Sequence, residues 1–153
     1  MSIEMIVSIV STAVAMIALV FSLCSYRAGV RHDRKRDTLE AYNRLQAEVF
    51  DHLNTYSPEQ IRNIAEESQS VEYKTLSGYL ARLEHFCVGV NTGGYDEKVV
   101  YALGHGYFDG FGLRRRIEPL LEAKNSWGKT RELYYVNIYA VLNWFDKQKG
   151  KKK

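Results

Sequence analysis

From Met5 to Cys24 the chain runs for twenty residues without a charge, MIVSIVSTAVAMIALVFSLC. At 1.5 Å per residue a helix of that length covers about 30 Å, the hydrocarbon thickness of a bilayer. A core helix of a water-soluble domain seldom stays uncharged so long. A cleaved signal peptide wants basic residues ahead of its apolar stretch. Here the start is Met1-Ser2-Ile3-Glu4, and positive charge follows the run, beginning at Arg27. The pattern predicts a transmembrane helix over 5–26, with Tyr26 at headgroup level. By the positive-inside rule residues 1–4 face out and the rest lies in the cytoplasm, at a cell's inner membrane.

The juxtamembrane segment 27–36 holds Arg27, Arg31, Arg34, Lys35 and Arg36 against one acid, Asp33. Lys147, Lys149, Lys151, Lys152 and Lys153 crowd the other end, where 148–153 reads as a basic tail. Apart from these two clusters, with Glu4 and Asp33, the chain has 11 basic and 16 acidic residues, net −5. Such segregation reports charged surroundings rather than a fold. The basic segment sets topology without any ligand. It would also attract anionic lipid, by about 1 kcal/mol per charge near the surface. Nucleic acid is a third reading, against which stand the acidic domain and the lack of any aromatic residue between Arg27 and Arg36.

Inside the apolar run, Ser8, Ser11, Ala15, Ala18, Ser22, Ser25 and Gly29 alternate spacings of three and four. This is a heptad seam of small residues, the pattern by which helices approach closely in lipid. The seam predicts either a homo-oligomer or pairing with another membrane helix. Cys24 and Cys87 make no disulfide framework.

Residues 37–147 predict a cytoplasmic helical domain. Leu39, Tyr42, Leu45, Val49 and Leu53 make a stripe at helical spacing, continuing the span. Ser57-Pro58-Glu59-Gln60 predicts a capping box with proline at the first helical position, opening a short helix to about Ser68. A helix over about 71–90 buries Leu76, Leu80, Leu83, Phe86, Cys87 and Val90, and Asn91-Thr92-Gly93-Gly94 stops it with a left-handed turn. Asp96 caps the next. Gly104 to Gly112 is poor helix material, with Gly106 and Gly110 expected at a close helix contact, or else forming a hinge that exposes Tyr107, Phe108 and Phe111. Helical spacing resumes at Leu113, with a turn at Trp127-Gly128 and a last helix from about Thr130 to Lys147. That helix, apolar nearly all round from Leu133 to Phe145, reads first as core and alternatively as a membrane-interface or partner-binding helix. No segment alternates as a strand does. The fold class is all-α: one N-terminal transmembrane helix continuing into a small cytoplasmic bundle.

Tyr79-Leu80, Leu83-Glu84, Gly89-Val90, Gly94-Tyr95-Asp96-Glu97, Leu103 and Pro119 carry a resemblance, together with a helix beginning near Thr38-Leu39-Glu40 behind a span and a basic stretch. In these the chain resembles a group of small bacterial and phage-associated single-span membrane proteins, the domain of unknown function 4760 family. The resemblance implies the architecture and no activity. Arg114 to Arg116 and the Gly104–Gly112 cluster lie outside it.

The candidate polar site comprises Glu84, Tyr95, Asp96 and Arg115. Glu84, amid Leu83, Phe86 and Val88, is either an acid–base group or, more simply, a tether to one of Arg114–Arg116 or to a tyrosine hydroxyl. Asp96 is more simply an N-cap, bonding the amides of Lys98 or Val99, than a catalytic acid. His32, His52, His85 and His105 lack metal-ligand spacing, since His85 and Cys87 point apart and His105 and Asp109 share only a helix turn. No catalytic motif and no cofactor motif stands out. The expected function is a membrane-tethered module that binds a cytoplasmic protein. The alternatives are a membrane-bound enzyme around Glu84 and Arg114–Arg116, and an adaptor to anionic lipid or nucleic acid.

Overall fold

A computed structural model describes residues 2–108, 112–127 and 134–150, with the side chains of 125–127 excepted. Among the described residues there are six helices and no strand. The first, α1 (Ile3–Leu53), is 51 residues long. The Ser2 hydroxyl accepts from the Met5 amide at its start. Every residue from Ser2 to Asp37 is exposed, so well over half of α1 stands clear of the domain.

The rest of α1 forms one wall of the bundle. Its stripe is Thr38, Tyr42, Leu45, Val49 and Leu53, all buried. The expected Leu39 is instead 43 % exposed. At this height the domain offers a backbone amide, not an apolar surface, and a hydroxyl one position earlier meets it. Over Gln46–Phe50 the helix widens to a π turn. The wider turn directs both Val49 and Phe50 inward, where a regular helix would set them about 100° apart.

The other helices are α2 (Pro58–Glu66), α3 (Val71–Asn91), α4 (Glu97–Phe108), α5 (Leu113–Trp127) and α6 (Val136–Gly150). The capping box forms as expected, with Ser57 and Gln60 bonding each other reciprocally at 2.8 and 3.2 Å. The short helix it opens ends at Glu66 rather than near Ser68. Gly93, at φ 72°, supplies the left-handed stop after α3. Helix α3 runs opposite to α1, placing Tyr79 against His52, Arg82 against Glu48 and Phe86 against Tyr42. Helix α4 runs in the same sense as α1: Asp96 meets Thr38, Leu103 meets Tyr42, and Tyr107 meets Phe50. The α3–α4 turn therefore lies at the end of the domain nearest the exposed half of α1.

Aromatic rings link three helices across the core. Phe50 of α1 stacks on Tyr107 at 4.1 Å and meets Phe108 edge-on, and Phe108 stacks on Phe145 of α6 at 4.9 Å. Helix α4 continues through Gly104 and Gly106 to Phe108. Its close contact falls at Gly104, where a Cβ would lie 2.8 Å from the Phe108 ring and 2.9 Å from Phe145. Around Gly106 there is open space, and Gly110 and Phe111 lie outside the described residues. The reason is periodicity: Val100, Gly104 and Phe108 are four apart and form the buried face. Tyr107 and Phe108 are thereby packed inward and not displayed.

Helix α6 buries Ile138, Val141, Leu142 and Phe145 and leaves Val136 exposed, so it packs as one wall of the core. The expected start at Thr130, and Leu133, lie outside the described residues, as do Gly128, Asp109 and Lys151–Lys153.

Candidate functional site

Glu84 sits on α3 one position past Leu83, at the edge of the buried stripe. Its Oε1 accepts from the Asn137 amide at 3.1 Å and from Asn137 Nδ2 at 2.7 Å. Its Oε2 accepts from the Ile138 amide at 2.9 Å. These are the second and third residues of α6, whose amides have no partner within their own helix. A Ser, Thr, Asp or Asn at the cap position would normally take them. Tyr135 stands there instead, in the left-handed region at φ 61°. Glu84, 53 residues earlier in the chain, supplies the missing acceptor and sets a negative charge at the positive end of the helix dipole. Asn91 Nδ2 donates to Asn137 Oδ1 at 2.9 Å, so that side chain is held from both sides.

Glu84 is thus a tether between helices, but among the described residues its partners are Asn137 and Ile138, not Arg114–Arg116 or a tyrosine hydroxyl. Arg114 pairs with Asp146 at 2.9 Å. Arg116 donates to the Leu53 carbonyl and, at 2.8 Å, to Asn54 Oδ1, closing the distal end of α1. Arg115 is exposed beside Arg62, Glu118 and Glu122. The four candidate residues do not converge on one site.

Tyr95 and Asp96 do share one place, the α3–α4 turn. Tyr95 stacks on Phe86 with centroids 5.2 Å apart and lies flat over Gly89, where a Cβ would come within 2.8 Å of its Cδ2. The Gly89 carbonyl accepts from the amides of Gly94 and Tyr95. Asp96 Oδ1 accepts from the amides of both Lys98 and Val99, at 3.0 and 3.1 Å, as an N-cap does. Its own amide donates to Thr38 Oγ1 at 2.8 Å, and Thr38 in turn donates to the Arg34 carbonyl at 2.6 Å. Thr38, fully buried, is the first point at which α1 touches the domain. The stripe read from the sequence began one position later, at Leu39, because a threonine carries no apolar signal.

A shallow trough of about 290 Å³ lies between α1 and α3. Ala41, Leu45, Phe86 and Tyr95 form its floor, with Arg44, Arg82 and His85 on the rim. Two rim arginines are already engaged, Arg44 with Glu40 and Arg82 with Glu48. Burial, with the charge of Glu84 second, pushes the Cys87 thiol well above its ordinary range, which makes it a poor nucleophile.

The seam residues Ser8 to Gly29 are all exposed. At about 100° per residue they project on the side of α1 opposite Thr38, Tyr42 and Leu45. No part of the described domain covers them.

These features define a class: a compact all-α domain carried on one long N-terminal helix that is apolar enough to cross a bilayer. The chain belongs to the family described as domain of unknown function (DUF4760), whose model matches residues 12–145, from within the apolar run to Phe145 of the last helix. No curated protein and no solved structure is detectably similar to it.

Proposed function

We propose that the chain is a single-span protein of a cell's inner membrane, oriented with its N-terminus outside, whose cytoplasmic helical domain acts by binding another protein. The observation that carries the tether is the bare half of α1. Thirteen large apolar side chains between Ile3 and Leu23 are exposed. Leaving them in water forgoes about 20 kcal/mol, at roughly 1.5 kcal/mol or more for each. Covering them with an apolar phase would gain more than the whole stability of a domain this size, about 5–15 kcal/mol, which makes this stretch the strongest driving force for association in the chain. A bilayer matches the length, and the cationic flank from Arg27 to Arg36 sets the direction.

The binding role is supported by how the polar candidates are used. Both oxygens of Glu84 and one of Asp96 accept from helix amides, and the trough beside α1 is apolar at its floor with charges at its rim, the composition of a protein-binding surface. The full chain is expected to resist alkaline carbonate extraction and to keep a C-terminal reporter active in the cytoplasm. Recovery in the soluble fraction, or reporter activity outside, refutes the tether. A photocrosslinking residue at Ala41, in the trough, should give a discrete protein adduct that the same residue at Glu59 does not. Equal labelling from both positions refutes the trough as the binding surface.

A further inference from the structure

The stalk between span and domain is amphipathic in charge. Residues 27–37 are all exposed. At about 100° per residue, Arg27, Arg31 and Arg34 fall within roughly 60° of one another, with Lys35 flanking them. This is the side on which Thr38, Tyr42 and Leu45 enter the domain. Arg36 projects the opposite way, in the half of the helix that also carries Asp33, Asp37 and Glu40, and its guanidinium lies 3.8 Å from Asp37. The domain-facing side thus collects four cations and no acid, and among the described residues none of the four makes an ion pair. Topology does not require this, since the positive-inside rule counts charges irrespective of helix face.

We infer that this side of the stalk is a binding site for the headgroups of anionic phospholipids. The inference rests on the membrane reading above. With the span ending near Tyr26, Arg27 sits at the bilayer edge, Arg31 about 6 Å out and Arg34 about 10 Å out, while the domain begins at Thr38, about 16 Å out. The three arginines therefore line a slot roofed by the α3–α4 turn and floored by the headgroups. The first two lie within one Debye length of the surface, about 8 Å at physiological salt. On the roof, the Asp96 carboxylate is turned to the amides of Lys98 and Val99, and among the described residues it makes no ion pair with the stripe. Guanidinium groups bind phosphate oxygens in a bidentate manner, which suits phosphodiester headgroups carrying net negative charge.

The test uses the full chain in nanodiscs of equal phosphatidylglycerol and phosphatidylcholine, with retained lipids counted by native mass spectrometry. Phosphatidylglycerol should be retained in excess, less so as salt rises. Arg31→Gln should cut the excess about five-fold. The decisive variant is the exchange Arg31→His with His32→Arg, which keeps composition and height but turns the charge about 100° around the helix. It should lose excess as Arg31→Gln does. Wild-type retention in the exchanged variant, or no preference over phosphatidylcholine in the wild type, overturns the site. Displacement of the lipid by a soluble oligonucleotide also overturns it, in favour of nucleic acid. A chain that fails to enter the discs refutes the membrane reading, whereas one that enters without preference refutes only this inference.

Discussion

Glu84 allows the sharpest test of how the last helix is held. Replacing it with alanine removes three accepted hydrogen bonds and leaves two amides at the start of α6 unpaired. Loss of an N-cap costs about 1 kcal/mol, and loss of a carboxylate at a partly buried helix N-terminus up to about 1–2 kcal/mol more. The site is part-buried, so water replaces some of what is lost, and a total of about 2–3 kcal/mol follows. Glu84→Gln keeps one acceptor oxygen but loses the charge and the second acceptor, for about 1–2 kcal/mol. At roughly 4 °C per kcal/mol for a domain this size, the melting temperature should fall by about 8–12 °C for alanine and 4–8 °C for glutamine. Thermal unfolding of the solubilised full chain measures this, and hydrogen exchange should show protection lost first at Asn137 and Ile138. If Glu84→Ala melts within about 1 °C of wild type with those amides still protected, the carboxylate is not the cap and the reasoning fails.

Four further outcomes follow from the same geometry. Tyr107 donates to Asn54 Oδ1 and burial pushes its phenol up to about 12; since the folded form holds its proton more tightly than the unfolded chain, its contribution is full below about pH 10 and fades from there to about pH 12, so Tyr107→Phe should flatten that part of an alkaline stability profile. Gly104→Ala and Gly89→Ala should each destabilise by about 1–3 kcal/mol in denaturant titrations, whereas Gly78→Ala and Gly106→Ala, which meet open space, should stabilise by about 0.5–1 kcal/mol. Thr38→Val keeps the shape but orphans the Asp96 amide, at about 1–2 kcal/mol, and should raise hydrogen exchange at Asp96. Ala15→Ile with Ala18→Ile should lower the yield of crosslinked oligomer in membranes; unchanged yield would mean the seam is not a packing face.

The elements that local chemistry closes within a few residues were legible in the chain. The Ser57–Gln60 box, the Asp96 cap and the left-handed Gly93 each depend on bonds spanning five residues or fewer. The α3 stripe was legible too, because burial on one face writes a 3.6-residue period. What could not be read were the pairings. Glu84 looked like a partner for arginine because a half-buried acid needs a cation or donors; that its donors are backbone amides depends on Tyr135 leaving α6 without its own cap. Gly106 and Gly110 were expected at the close contact, whereas it falls at Gly104, between the rings of Phe108 and Phe145.

Length and charge order alone settled that α1 carries a stretch able to cross a bilayer with a cationic flank behind it, since hydrophobicity and charge act along the chain whatever else folds. Only the tertiary structure decided which side of that helix meets the domain. That depends on where Thr38 finds the amide of Asp96, and Tyr42 the carbonyl of Leu103 and the ring of Phe86. These contacts span about 40 to 60 residues of chain, and their geometry fixes both the free side of the seam and the arginine-lined side of the stalk.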